Sequence, residues 1–373
     1  MNFSSVVAQD NIKELLRLQL VSHRIPHAQL FCGPKGCGKL PMALAFARAL
    51  LCQSPSGDGE ACGMCRACKM LNNLEHPDLH FIYPIKKVKN ETRCATYIKE
   101  WREELLASPY LDTERWYAAI EVENQQPIIT TADADEIGEK LALTAQQGGY
   151  RVVIVWHPEC LNEQAANKML KILEEPPAQT VFLLVSDTPE RLLPTILSRL
   201  QRVEFPALTQ HDLEAVLKEQ HGLGDEDAKC VAHVAAGSYT AAVNQLQVNA
   251  EQEVFFDMFV LLMRKCYMRD IMEMYRWSDI VAGWGREKQK AFLQYSQRLI
   301  RENFILNFHE KPLNYMGRKE MDFSVRFSPF VNERNVIGIM RELEQAENDV
   351  VHNVSPKIVF FDFALKMIVL LIQ

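Results

Sequence analysis

The chain has 373 residues, enough for two or three domains that each bury their own core. Its composition, 48% hydrophobic and 24% charged, is ordinary for a globular protein, and its net charge of −7 argues against binding nucleic acid mainly through its own surface. Residues 1–20 carry four charged side chains without a continuous apolar core, and no stretch approaches the roughly 18 uncharged residues of a membrane span. We therefore expect a cytoplasmic protein with no membrane contact and with its ten cysteines reduced.

A glycine-rich turn follows the short apolar run Leu30–Cys32 and leads into a helical pattern. Strand, glycine loop and helix in this order are the context that a phosphate-binding P-loop requires. Glycines let successive backbone N–H groups point into one concavity, and a lysine at the helix start adds a positive charge. The candidate phosphate-binding residues are Gly33, Pro34, Lys35, Gly36, Cys37, Gly38 and Lys39.

The residue after this lysine departs from the motif. Leu40 stands where a serine or threonine would ligate the Mg²⁺ of a bound nucleotide, and a leucine side chain can ligate nothing. The sequence therefore leaves two interpretations of the loop. It is either a disabled relative of an ATPase loop or a plain glycine turn without a ligand.

Four cysteines lie close together in the spacing C-x9-C-x2-C-x2-C among turn residues. Thiolates on closely spaced turns can converge tetrahedrally on Zn²⁺. Such a site would be structural because the protein fills all four positions, while the alternatives are a disulfide pair or unrelated thiols. The predicted zinc ligands are Cys52, Cys62, Cys65 and Cys68.

A distinct insert, predicted over Ile85–Gln126, begins with a cluster of three lysines at positions 86, 87 and 89. These lysines are either a contact for a DNA backbone or a solvated loop. A helical pattern follows through Trp101, and Trp116 extends it. The role of the insert cannot be inferred from the sequence.

Apolar runs alternate with helical patterns up to Pro206, which favours an α/β fold with a doubly wound parallel sheet. Helix N-caps are predicted at Asp10 and Asn162. An active P-loop ATPase would have paired acids at the end of the strand Arg151–Trp156, where this chain has His157 and Pro158. The predicted strands after the first are Leu79–Tyr83, Arg151–Trp156, Val181–Val185 and Arg202–Phe205, and a helix is predicted over Ala132–Ala145.

The strands disappear after Pro206. Three helical patterns, Gln210–Gly222, Asp225–Ala236 and Thr240–Leu246, predict a small three-helix domain, and the remainder is all-helical in pattern. The predicted domains are 1–206 with the zinc module 52–68, then 207–249, then 250–373. The clearer helical segments of the last domain are Arg269–Trp277, Arg286–Leu306, Asn332–Ala346 and Lys357–Ile372.

Several of these stretches together resemble one family, the delta-prime subunits of the bacterial DNA polymerase III clamp loader, which is an AAA+ assembly related to gamma/tau. The cysteine quartet and the Leu-Glu-Glu-Pro-Pro run are the specific matches. The matching segments, in the order of the family, are Arg24–Lys39, the four cysteines, His76–Asp78, Asn167–Pro177, Pro194–Arg199, Gly237-Ser238 and Asn353–Asp362.

The resemblance implies that Arg199 is an arginine finger, a residue that reaches into the ATP site of a neighbouring subunit. Leu200 replaces the cysteine of the family's Ser-Arg-Cys motif, which leaves the guanidinium unchanged. The alternative is a surface arginine in a local ion pair. Thr240 lies where the family has a nucleotide-sensing arginine, so hydrolysis by the chain itself is not expected, and nucleotide binding stays open.

By the same resemblance, residues 250–373 would be a helical collar in a hetero-pentamer with gamma/tau and delta subunits. That assembly opens the sliding clamp and places it on primed DNA. Two other interpretations remain, an active ATPase of the gamma/tau type and a zinc-containing nucleic-acid-binding protein.

Overall fold

A computed structural model describes residues 1–86, 93–122, 126–142, 149–307 and 318–372. The chain forms two compact units, Met1–Gln245 and Leu246–Gln373. The first unit therefore contains the predicted P-loop domain and residues 207–245 of the predicted three-helix domain, whose predicted end is residue 249. The finer boundary at residue 206 stays a prediction.

A five-stranded sheet forms the centre of the first unit. Its strands are β1 (Ala28–Cys32), β2 (Leu79–Ile82), β3 (Arg151–Trp156), β4 (Thr180–Ser186) and β5 (Gln201–Glu204). All pairings are parallel, and the strand order is β2-β3-β4-β1-β5. The predicted parallel α/β fold is confirmed, and every residue of β1, β3 and β4 is buried, as expected for strands covered on both faces.

Helices precede, connect and follow these strands along the chain. The helices are α1 (Asp10–Val21), α2 (Lys39–Leu51), α3 (Arg66–Leu71), α4 (Ile98–Ala107), α5 (Thr113–Ala119), α6 (Thr131–Ala142), α7 (Glu163–Glu174), α8 (Pro194–Leu197), α9 (Gln210–His221), α10 (Asp225–Ala235) and α11 (Tyr239–Met268). The predicted cap at Asn162 is confirmed, because its Oδ1 accepts from the Ala165 backbone N–H. The cap predicted at Asp10 is wrong: Gln9, with a left-handed φ of 63°, precedes the helix, and Asp10 is its first residue. The predicted end of α6 at Ala145 lies outside the described residues.

The insert contributes to the main core rather than standing apart from it. Trp101 of α4 and Trp116 of α5 are fully buried in the same apolar cluster as the sheet. The Trp101 ring stacks on Tyr83 at 4.1 Å between centroids, and the Trp116 indole N–H donates to the Pro84 carbonyl at 2.8 Å. Lys86 contacts Glu121, whereas the predicted lysine cluster at 87 and 89 lies outside the described residues.

The second unit is helical throughout its described part. After the end of α11 it contains α12 (Ile271–Ala282), α13 (Arg286–Leu306), α14 (Arg318–Phe327), α15 (Val336–Val351) and α16 (Pro356–Leu370). The helix predicted over Thr240–Leu246 is only the beginning of the 30-residue α11. A separate apolar cluster around Trp277, Phe292 and Phe360 forms the core of this unit. Among the described residues, no helix is both long enough and apolar enough to cross a bilayer.

Candidate functional site

The glycine loop connects β1 to α2, as the P-loop interpretation requires. Gly33, Gly36 and Gly38 have φ values of 149°, 73° and 99°, which side-chain-bearing residues rarely adopt. Residues from other parts of the chain also pack closely against the loop. A Cβ on Gly33 would lie 2.3 Å from the Phe205 carbonyl oxygen, and a Cβ on Gly36 would lie 2.0 Å from the Ser238 Oγ. Gly33 is therefore needed for packing against backbone whether or not a ligand binds, whereas a side chain at position 36 would require the Ser238 hydroxyl to move.

The predicted phosphate-binding lysine is engaged by its own chain. The Lys39 side chain is only 4% exposed, and its Nζ lies 2.8 Å from Asp187 Oδ1. It also donates to the carbonyl oxygens of Gly33 at 2.7 Å and Pro34 at 2.5 Å. A buried ammonium requires such partners because its desolvation is costly. Asp187 therefore supplies the negative charge that balances Lys39 within the chain.

Sequence reasoning missed Asp187, although a signal was present. The residue directly follows β4, the strand that pairs with β1, and ligands of open parallel sheets bind at the carboxyl ends of the strands. An acidic residue at that position is therefore next to the P-loop by topology. The sequence pattern alone did not identify which strand lies beside β1.

The end of β3 carries a second polar group of residues. His157 has a left-handed φ of 54°, and its Nδ1 lies 2.9 Å from Glu159 Oε1. The Ser186 hydroxyl donates to the other carboxylate oxygen of Glu159 at 2.9 Å. Burial favours a raised pKa for Glu159, but hydrogen bonds from His157 and Ser186 outweigh it and hold the pKa below its ordinary value. The carboxylate therefore has local partners, and it is not among the residues that line the cavity beside the loop.

A cavity of about 180 Å³ lies beside the loop, smaller than the roughly 300–1,000 Å³ of typical ligand pockets. The insert closes one side of it. The Tyr110 hydroxyl accepts from the Val7 backbone N–H at 2.8 Å, and its ring lies 4.6 Å from that of Tyr239. Asp112 accepts from the Asn244 side chain at 2.9 Å. Sequence reasoning did not place the insert at this cavity, because these contacts join residues more than 100 positions apart.

The start of α11 closes another side. The Tyr239 backbone N–H donates to the Gly36 carbonyl at 3.0 Å, and Thr240 lines the cavity. Thr240, which the family resemblance aligns with a nucleotide-sensing arginine, therefore lies beside the glycine loop, and its correspondence to that arginine stays a prediction. Its hydroxyl lies 3.1 Å from where a Cβ on Gly36 would be.

Arg199 lies just after α8, at the surface, with its side chain 37% exposed. One guanidinium nitrogen is 2.5 Å from Glu174 Oε1, and another donates to the Thr195 carbonyl at 2.8 Å. These contacts orient the side chain without burying it. Arg199 is not among the described residues that line the cavity beside the P-loop of its own chain.

The four predicted cysteine ligands converge. Their sulfur atoms all lie within 4.8 Å of one another, with Cys52 and Cys65 3.9 Å apart and Cys62 and Cys68 4.0 Å apart. Tetrahedral zinc–sulfur bonds of about 2.3 Å require sulfur–sulfur distances of about 3.8 Å. Backbone N–H groups of Cys65 and Met64 lower the pKa of the Cys62 thiol to about 6, which favours the metal-binding thiolate there, whereas burial raises the pKa values of Cys52 and Cys68. The cluster can therefore hold a metal ion.

The chain also matches known proteins. The family described as "DNA polymerase III, delta subunit" matches residues 8–209, more than half of the chain. A DNA polymerase III subunit delta' from Pseudomonas aeruginosa is 37% identical over 173 residues, which are 46% of this chain and 41% of the relative. The corresponding subunit from Bacillus subtilis is 30% identical over 216 residues, 57% of this chain and 52% of the relative.

A gamma/tau subunit from Mycobacterium tuberculosis is 29% identical over 240 residues, 63% of this chain and 34% of the relative. The chain thus spans about half the length, or less, of the relatives that it matches. The extent of the family match, with the parallel sheet and P-loop in place, identifies the chain as a member of the DNA polymerase III delta' subunit family, which is related to gamma/tau.

Proposed function

We propose that this chain is a clamp-loader subunit that does not hydrolyse ATP itself and that supplies Arg199 to the ATP site of a neighbouring subunit. The observation that carries the proposal is the contrast between two cations. Lys39 is buried and paired within the chain, whereas Arg199 is oriented at the surface. The first arrangement is unfavourable for hydrolysis in this chain, and the second suits contact with another subunit.

The case against hydrolysis in this chain rests on four features. A nucleotide phosphate would have to displace the Asp187 carboxylate from Lys39, at a cost in electrostatic energy. Leu40 offers no oxygen for Mg²⁺, and Thr240 offers no positive charge. The Glu159 carboxylate, which follows β3, is held by His157 and Ser186 instead of lining the cavity. The small volume of the cavity beside the glycine loop, about 180 Å³, also supports the absence of hydrolysis in this chain.

The proposed role of Arg199 depends on its guanidinium group. A planar fork that is charged at every physiological pH can stabilise the charge that develops on a transferred γ-phosphoryl group. Glu174 and the Thr195 carbonyl hold this fork in one orientation, so less conformational entropy is lost when it meets a phosphate. The partner ATPase would be a gamma/tau subunit.

The wider assembly follows from the family resemblance. The partners would be gamma/tau and delta subunits in a hetero-pentamer, acting on the sliding clamp and primed DNA in the cytoplasm, with residues 250–373 in the collar. Zinc at the four cysteines would stabilise the segment between α2 and α3, a structural role that suits four protein ligands.

Reconstitution with gamma/tau, delta, the clamp and primed DNA tests the proposal. We expect Arg199→Ala to lower DNA-stimulated ATP turnover by about 10³-fold at the one affected site, which reduces but does not abolish the turnover of the whole assembly. Arg199→Lys should not restore it, because an ammonium lacks the planar fork. The exposed control Arg202→Ala should leave turnover unchanged. Lys39→Ala leaves Asp187 unpaired and should lower stability, but the turnover per assembled complex should stay unchanged.

Two outcomes contradict the proposal. Full turnover and clamp loading by a correctly assembled Arg199→Ala complex would contradict the proposed role of Arg199 as an arginine finger. Magnesium-dependent ATP turnover by the purified chain alone, abolished by Lys39→Ala, would instead favour an active ATPase of the gamma/tau type.

A further inference from the structure

An open groove on the second unit is lined by aromatic side chains and rimmed by two arginines. It has a volume of about 330 Å³ and lies between the last turns of α11, helix α14 and the short 3-10 turn Ser328–Phe330. The groove belongs wholly to the part of the chain that follows residue 209, beyond the family match. Neither the P-loop, Arg199 nor the cysteine cluster contributes to it.

The floor and wall of the groove are apolar. Met263 and Phe327 form the buried floor. Tyr267 is 63% exposed and Phe330 is 37% exposed, with their rings 5.3 Å apart in an edge-to-face arrangement. An aromatic side chain can bury about 150–250 Å² of surface, so covering an exposed ring contributes strongly to the free energy of binding. Two exposed rings that face one concavity are therefore suited to an apolar side chain from outside.

The rim of the groove is cationic. Arg264 on α11 and Arg326 on α14 are both exposed and both line the groove. Neither has an acidic partner within 4.0 Å in the part of the chain that the structure describes. Guanidinium groups bind carboxylates in a two-pronged geometry, so the rim is complementary to acidic side chains beside the apolar group.

We propose that this groove binds a short segment of a partner protein, in which a large apolar side chain is flanked by carboxylates. The apolar side chain would pack into the groove against the faces of Tyr267 and Phe330 that are exposed, and the carboxylates would meet Arg264 and Arg326. A nucleic-acid strand fits less well, because two cations on a chain with a net charge of −7 cannot neutralise a run of phosphates. The volume holds one or two large side chains, as expected for a peptide anchor.

A peptide-binding measurement on the full-length chain tests this proposal. The probe is a fluorescein-labelled peptide, Glu-Asp-Trp-Leu-Asp-Glu, followed by fluorescence anisotropy. A second peptide replaces Trp-Leu with Ser-Ser, and a third replaces the four acids with lysine. We expect the first peptide to bind at least about tenfold more tightly than either control, and we expect salt to weaken it.

Substitutions in the groove should weaken binding of the acidic peptide, and a substitution outside the groove should not. Phe330→Ala should weaken it by about tenfold, because truncating an aromatic contact removes buried area. The double variant Arg264→Glu, Arg326→Glu should weaken it at least as much and should bind the lysine peptide better than the wild-type chain does. Arg341→Glu, an exposed arginine on α15 outside the groove, is the matched control and should bind like the wild type.

Three results would overturn the proposal. The first is equal binding of the acidic, serine and lysine peptides. The second is unchanged binding of the acidic peptide by both groove variants while circular dichroism shows that they are folded. The third is tight binding of a labelled oligo(dT) strand that Phe330→Ala abolishes, which would assign the groove to single-stranded DNA.

Discussion

The Lys39 ammonium, only 4% exposed, is balanced inside the chain by the Asp187 carboxylate, which is 17% exposed and 2.8 Å away. Breaking a buried ion pair from one side costs more than the pair itself contributes, since the remaining charge is left without a partner. The exposed pair of Lys168 and Asp135 has nearly the same short distance but lies in water on both sides. We therefore expect removal of the Asp187 carboxylate to destabilise the fold more than removal of the Asp135 carboxylate, because the Lys39 partner of Asp187 is buried.

Asp187→Asn should lower the free energy of unfolding by about 2–3 kcal/mol. Because Lys39 would then lack an anion, tripolyphosphate should raise the melting temperature of the variant more than that of the wild type. Calorimetry with and without tripolyphosphate measures both effects. The matched control Asp135→Asn should cost less than about 1 kcal/mol. If the two variants are equally stable, or if tripolyphosphate stabilises them equally, Lys39 does not depend on Asp187.

His80 predicts a pH dependence of stability. Burial and, secondly, the Lys140 cation lower the pKa of His80 to about 4 from an ordinary value of 6.5. Between these values the unfolded chain binds the proton and the folded chain does not, so the free energy of unfolding should fall as the pH drops from 6.5 to about 4. His80→Gln should remove this part of the slope in urea titrations, whereas His233→Gln should not. Parallel curves for wild type and His80→Gln would contradict the assignment.

At the scale of elements, the sequence predicted the glycine loop and the helices, but it did not predict which distant residues they contact. The glycine loop, the strand before it and helix α2 follow from local rules, and the structure has them in that order. The position of the insert does not follow, because the stacking of Trp101 on Tyr83 and the contact of Tyr110 with Val7 depend on tertiary packing. Local propensity also misplaced the start of α1, where Gln9 adopts a left-handed conformation before the first turn.

The four cysteines were predictable as a cluster because their spacing brings them onto neighbouring turns. A chelator that removes zinc should release about one metal ion per chain and make the segment between α2 and α3 sensitive to protease. Cys65→Ser should lower the metal content, while Cys230→Ser, an exposed cysteine outside the cluster, should retain it. Metal analysis that finds no zinc in the wild type, or equal zinc in the two variants, would contradict a zinc site.

At the scale of the whole molecule, two separate apolar clusters divide the chain, and the continuous helix α11 contributes residues to both units. The sequence predicted the change from an α/β part to a helical part, since the strand pattern ends at Pro206. It placed a break between helices near residue 249, where the structure has none. Helical periodicity alone cannot distinguish two short helices from one long helix when no glycine or proline intervenes.

Gln247→Pro should interrupt α11 between the two clusters. Proline removes a backbone donor and clashes with the carbonyl four residues earlier, at a cost of about 3 kcal/mol. Because each unit keeps its own core, limited proteolysis should cut the variant near residue 247 and leave two resistant fragments. Gln247→Ala keeps the helix and should resist cleavage like the wild type. Cleavage that starts elsewhere, or loss of one whole fragment, would show that the units do not fold independently.

The packing of Gly33 against Phe205 and of Gly36 against Ser238 bears on how such chains are recognised. Any larger residue at position 33 would collide with the Phe205 backbone, and one at position 36 would have to displace the Ser238 hydroxyl, even in a chain that never meets a nucleotide. Packing alone therefore keeps a glycine at position 33, and a glycine signature can persist without the chemistry that it is usually taken to indicate. In this chain, the acid beside Lys39 bears more directly on nucleotide use than the glycines around it.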